Sequence, residues 1–213
     1  MDVKICGLKT PDSVEAAAAA GATHLGFNFF APSPRAVTPA EARLLARHVP
    51  AGVKIVALVV DADDALLEEI WEHLHPDIFQ LHGKETPERV REIKARFGVE
   101  VMKVVRVAEA ADARSAEAYD GVADLLLFDA KPPKDKDKLP GGNGLIFDWT
   151  ALQAYRGKTP WMLAGGLDAA NVAEAIRVTG TGAVDTASGA EDAPGVKSPE
   201  KIRKFVAAAL GKA

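Results

Sequence analysis

An α/β fold, and within it a single-domain parallel (β/α)8 TIM barrel over residues 1–213, is the architecture the sequence predicts. Three observations carry this expectation. Short β-branched apolar runs alternate with longer alanine-rich runs of helical period, which implies a parallel sheet with helices outside it. The alternation repeats eight times in 213 residues, near the small end of what a closed barrel uses. No linker interrupts the series, and Cys6-Gly7-Leu8-Lys9 is not the glycine-rich turn of a doubly wound sheet.

The elements follow in order. Val3 to Cys6 reads as the first strand and Pro11 to Ala20 as a helix. His24 to Phe29 is the second strand, with a helix from Pro39 to His48. Val53 to Val60 is continuously apolar, as in a strand buried on both faces. Asp61 and Asp63 are candidate caps for a helix carrying Leu66, Leu67, Ile70 and Leu74. The fourth strand runs from Ile78 to His82, and Thr86-Pro87-Glu88 opens the next helix with a cap and an early proline. Val99 to Val107 is the fifth strand, Glu109 to Tyr119 a helix, and Asp124 to Asp129 the sixth strand. A Lys-, Pro- and Gly-rich loop from Ala130 to Leu145 precedes a short helix near Asp148 to Tyr155. Trp161 to Ala164, a helix from Asp168 to Val178, and Gly182 to Thr186 complete the eight strands. Ser198-Pro199-Glu200 starts the last helix, which ends at Gly211.

Composition narrows the function. A net charge of −4 offers no basic face for nucleic acid. No apolar run reaches membrane-spanning length, and the opening residues lack a signal-peptide core. The lone cysteine permits no intrachain disulfide, so a cytoplasmic location is expected. No histidine pairing has metal-ligand spacing, and neither a P-loop nor a G-x-S-x-G turn is present. The expectation is a chain that needs neither metal nor cofactor and acts as a monomer or homodimer.

A barrel's chemistry sits where its strands end. Cys6 ends the first strand before Gly7; it is either a small buried hydrophobe or a base or nucleophile whose acidity is raised by a helper. Asp129 follows the fully apolar Leu125-Leu126-Leu127-Phe128, where a partly desolvated carboxyl suits general-acid work. His82 shares a strand face with Gln80 and is a candidate ligand contact. Gly165 and Gly166 follow the seventh strand, and Ser188 and Gly189 the eighth, the junctions where such barrels hold phosphate on backbone N–H groups. Arg35 suits bidentate binding of a carboxylate or phosphate, or is a solvated surface residue. Lys4, Lys103 and Asp185 fall inside apolar strands and predict one buried polar cluster, mainly structural, with Asp185 close enough to bias the site. Gly141-Gly142-Asn143-Gly144 is either a mobile loop closing over substrate or a connector, and the Lys134 to Lys138 run is a solvated loop.

Taken together, these residues resemble one family. Lys4-Ile5-Cys6-Gly7, Ser33-Pro34-Arg35, Gln80-Leu81-His82-Gly83, Leu127-Phe128-Asp129, Gly141-Gly142-Asn143-Gly144 with Phe147-Asp148-Trp149, Leu163-Ala164-Gly165-Gly166-Leu167 and Val184-Asp185-Thr186-Ala187-Ser188-Gly189 are similar, in order, to the motifs of phosphoribosylanthranilate isomerases. The resemblance implies an Amadori rearrangement of N-(5′-phosphoribosyl)anthranilate in tryptophan synthesis. It implies Cys6 as general base, Asp129 as general acid, Arg35 at the anthranilate end, and Gly165, Gly166, Ser188 and Gly189 as a phosphate cradle. Asp185 matches the family's aspartate in strand eight; Ala187 and Asn143 depart from its usual serine or threonine. Other phosphosugar barrels would place lysine and glutamate, or metal-binding histidines, at these strand ends. A catalytically silent barrel that binds a phospho-ligand is the alternative outside enzymes.

Overall fold

The computed structural model describes residues 1–131 and 147–212. Gly141 to Gly144 and the Lys134 to Lys138 run lie outside the described residues. Eight strands close into one parallel barrel in sequence order: β1 Asp2–Cys6, β2 His24–Asn28, β3 Lys54–Val59, β4 Ile78–Leu81, β5 Glu100–Val107, β6 Leu125–Ala130, β7 Trp161–Leu163 and β8 Ala183–Thr186. Outside them run α1 Pro11–Ala20, α2 Pro39–Ala46, α3 Asp64–Leu74, α4 Pro87–Phe97, α5 Ala110–Ser115, α6 Val172–Thr179 and α7 Pro199–Ala209. The predicted fold class is the observed one.

Strand periodicity divides the core into two layers. Val3, Ile5, Leu25, Phe27, Phe79 and Phe128 face outward and pack under the helices. Val56, Ile78, Met102, Val104, Leu127, Met162, Ala164 and Ala183 form a separate cluster inside the barrel. Both faces are therefore dry, which is why the strands read as continuous apolar runs. The same alternation decides the buried lysines. Lys103, between Met102 and Val104, points outward, where Glu85 accepts from its Nζ at 2.8 Å. Lys4, between Val3 and Ile5, points inward and donates to Asp185 at 2.9 Å. The single polar cluster expected from the sequence is thus two, on opposite faces of the sheet.

Asp63 and Thr86 cap their helices as expected, whereas Asp61 instead accepts the Lys84 N–H. Thr10 and Thr38 likewise accept a backbone N–H of the first turn, and the three threonine caps are followed by proline. Some boundaries differ. Asp168 does not cap α6: its Oδ1 accepts from the N–H groups of Ala170 (2.8 Å) and Asn171 (3.1 Å), closing a turn before the helix begins at Val172. The helix expected to Tyr119 is α-helical only to Ser115 and continues as a 3-10 turn. A short antiparallel hairpin, β9 Glu191–Ala193 with β10 Val196–Lys197, follows β8 where no element was expected.

Candidate active site

The C-terminal strand ends enclose a cleft of about 670 Å³. Cys6, Arg35, His82, Asp129, Gly165, Gly166, Asp185 and Ser188 all line it, so residues from six segments meet as the strand-end reading expected. Gly189 is not among the lining residues. It lies one residue behind Ser188 at the start of a 3-10 turn, where a Cβ would stand 2.1 Å from the Leu167 carbonyl oxygen.

Cys6 closes β1 with its side chain inward, 4% exposed. Burial pushes the thiol up from its ordinary value; the adjacent Lys4 pulls it back, Asp185 opposes that pull, and Lys197 aids it. The net direction is upward, opposite to the lowered value expected for a ready nucleophile. Desolvation of the anion outweighs the neighbouring cations.

Asp129 sits on β6 beside Arg106 of β5. Its Oδ1 accepts the N–H of Ala130 at 2.8 Å. Its Oδ2 lies 3.3 Å from Nε2 of His82, close enough for charge attraction, but the alignment does not make a hydrogen bond. Nε2 of His82 and Oε1 of Gln80 are buried polar atoms with no hydrogen-bond partner among the described residues, and both residues line the cleft. Such atoms cost about 1–3 kcal/mol each unless something satisfies them.

Arg35 is not a surface arginine. Its Nε and Nη2 donate to the two oxygens of Glu191, each at 2.8 Å, with both side chains buried. Lys197 donates to the same carboxylate at 2.7 Å and to the Ala187 carbonyl at 2.7 Å. Burial raises the Glu191 carboxyl, but Arg35 and Lys197 overcome this and hold it below the usual glutamate range. Gly7 makes room for this arrangement: a Cβ there would lie 2.6 Å from Cδ of Arg35. Gly7 thus admits the arginine stem.

Gly165 has φ +88°, and a Cβ on it would meet the Ala130 nitrogen at 2.6 Å, so the turn after β7 packs directly against the end of β6. Sequence reading missed Glu191 and Lys197, which lie in the unexpected hairpin, and Asn28 at the end of β2. Asn28 Oδ1 accepts the Phe30 N–H at 2.8 Å, and its Nδ2 donates to Ser33 at 3.2 Å, shaping the loop that carries Arg35. Asn28 was findable as a polar strand end; Glu191, 156 residues from its arginine partner, left no local signal.

A closed parallel barrel with acid–base side chains gathered in one cleft at its strand ends defines an enzyme of the (β/α)8 class. Comparison with known proteins narrows the class. The sequence model of N-(5′-phosphoribosyl)anthranilate (PRA) isomerase matches residues 3–208. The chain is 56% identical over 210 residues to N-(5′-phosphoribosyl)anthranilate isomerase of Parvibaculum lavamentivorans, covering 98% of both chains. It is 53% identical over 209 residues to that of Rhodospirillum centenum, again covering 98% of both. Among solved structures, phosphoribosyl anthranilate isomerase from Thermotoga maritima superposes with a TM-score of 0.87 at 32% identity, covering 99% of each chain. A phosphoribosyl anthranilate isomerase in complex with reduced 1-(o-carboxyphenylamino)-1-deoxyribulose 5-phosphate gives 0.84 at 29% identity, with the same coverage. The chain belongs to the N-(5′-phosphoribosyl)anthranilate isomerase family, and its activity is that of an isomerase.

Proposed function

We propose that the cleft rearranges N-(5′-phosphoribosyl)anthranilate to 1-(2-carboxyphenylamino)-1-deoxyribulose 5-phosphate, with Cys6 as general base and Asp129 as general acid. The observation that carries this reading is that the thiol and the carboxyl line one cleft, beside the turns after β7 and β8. Asp129 has one oxygen engaged by a backbone N–H, so Oδ2 is the oxygen assigned to donate a proton. Donation of that proton to the furanose ring oxygen accompanies cleavage of the ring C–O bond, while the anilino nitrogen supplies the electron pair of the new C=N bond. The Cys6 thiolate then removes the proton from the neighbouring carbon, leaving an enolamine that tautomerises to the ketone. No redox partner enters: the sugar's C1 is reduced as C2 is oxidised.

The remaining residues serve binding. Gly165, Gly166 and Ser188 offer backbone donors to the phosphate. Arg35, on the β2 side of the cleft with Phe30, takes the anthranilate carboxylate and ring. Gln80 and His82 gain from the sugar hydroxyls the partners they otherwise lack. Asp185 acts on the substrate end of the site through its place in the same wall.

Positioned acid–base groups contribute about 10²–10⁴-fold each. Cys6→Ala and Asp129→Asn are therefore each expected to lower kcat by at least about a hundredfold, with melting behaviour retained. Loss of substrate fluorescence under saturating substrate reads this directly. Near-normal turnover in either variant removes that residue from its role.

A further inference from the structure

Lys4 is the bulkiest of the fully buried side chains, with 0% exposure. An ammonium enters a barrel interior only with partners. Here the partner is Asp185, its register neighbour on β8, which accepts from Nζ at 2.9 Å. Cys6 lies two residues along on the same inner face of β1. Gly26 stands opposite Cys6 on β2. A Cβ at Gly26 would lie 3.1 Å from the Cys6 Sγ and 3.4 Å from the Lys4 Cε. The missing side chain thus leaves one small space that the lysine stem and the thiol share. A buried sulfur with no cation beside it would keep its proton, and a proton-abstracting base must give it up.

We propose that Lys4 is a positioning residue for the isomerisation: anchored by Asp185 and brought against the sulfur over Gly26, its ammonium holds the negative charge of the Cys6 thiolate ready for the substrate proton. This rests on the reading of Cys6 as the base. The thiol proton leaves to solvent and the ammonium keeps its own, so the pair becomes thiolate and ammonium. Other charged groups face the same space. Lys197 of β10 favours the thiolate and Asp185 of β8 opposes it. Asp129, His82 and Arg35 border the cleft from β6, from the end of β4 and from the β2 loop, and Arg35 is paired behind it with Glu191 of β9.

The chain has a single cysteine, so the ultraviolet absorbance of thiolate in ligand-free protein, taken as the difference from Cys6→Ala to cancel the two tyrosines, reads that group alone. Asp185→Asn keeps a neutral acceptor for the Lys4 ammonium and removes the opposing carboxylate, so the thiolate should form at lower pH than in the parent. Lys4→Met added to Asp185→Asn removes the cation without leaving a buried charge unpaired. The thiolate fraction at a fixed pH below both midpoints should then fall about tenfold relative to Asp185→Asn, the equivalent of one pKa unit. The acid limb of kcat/KM should move upward with it. Coincident midpoints in the two variants overturn the proposal. Should that double variant fail to fold, Lys4→Gln combined with Asp185→Asn, an uncharged hydrogen-bonding pair, takes its place, and a midpoint equal to that of Asp185→Asn overturns the proposal. Turnover of Cys6→Ala, measured alongside, separately tests whether Cys6 is the base; its retention would sink that reading and leave the titration result standing.

Discussion

Arg35 illustrates how a residue's neighbours fix what it can do. A guanidinium on a solvated loop samples many rotamers, whereas here two of its nitrogens are tied to one carboxylate. Glu191 in turn is shared with Lys197, so the arginine is aimed by a buried network rather than by its own loop. Removing one partner of such a buried pair typically costs about 3–5 kcal/mol, because the other charge is left without compensation. Glu191→Gln should therefore lower stability by about 3 kcal/mol. At temperatures where it stays folded, KM should rise more than kcat falls, since Arg35 is assigned to binding. Steady-state kinetics and urea unfolding on the same preparation check both. An unchanged KM would detach the network from the substrate. Cys6, Asp129 and Arg35 were legible as chemistry at strand ends; the partners that tune them were not, because they arrive from other elements.

At the scale of elements, the chain signals its helix starts locally. Thr38 accepts the Glu41 N–H at 3.2 Å, and Glu41 reaches back to the Thr38 N–H at 2.7 Å, with Pro39 between them. Those contacts satisfy donors that the helix cannot satisfy internally. Thr38→Ala should cost about 1 kcal/mol, read as a lower urea midpoint with unchanged slope. Cap and proline patterns were readable because they are made within four residues. The hairpin β9–β10 was not: three- and two-residue strands show no periodicity. Its place is set by packing, since a Cβ at Gly195 would stand 2.4 Å from the Pro34 carbonyl oxygen. That contact seats the hairpin against the loop that carries Arg35.

The whole molecule holds several carboxylates that are ionised by their surroundings. Glu85 is pushed up by burial, yet Lys103 and the backbone N–H groups beside it bring it below its ordinary value of 4.5. Glu191 behaves likewise beside Arg35 and Lys197. A carboxyl with a depressed folded-state pKa contributes stability that is complete above its unfolded value. That contribution is lost as pH falls through the folded value. The share these carboxylates contribute to the unfolding free energy should accordingly be complete near pH 6 and decline below about pH 4.5. Urea titrations across that range measure it. Glu85→Gln should flatten its share of the decline, although the Lys103 ammonium it leaves behind lowers stability at every pH in the range.

The sequence by itself determined the alternation of strand and helix, the barrel class, and the strand ends at which thiol and carboxyl stand. These follow from patterns spanning a few residues, where backbone geometry and side-chain chemistry act directly. Only the tertiary structure decided that Lys4 and Lys103 face opposite sides of the sheet, that Glu191 and Lys197 sit behind Arg35, and that burial raises the Cys6 thiol against the pull of Lys4. The physical reason is distance along the chain. Burial and charge pairing are set by groups up to 181 residues apart, brought together when the last strand closes against the first.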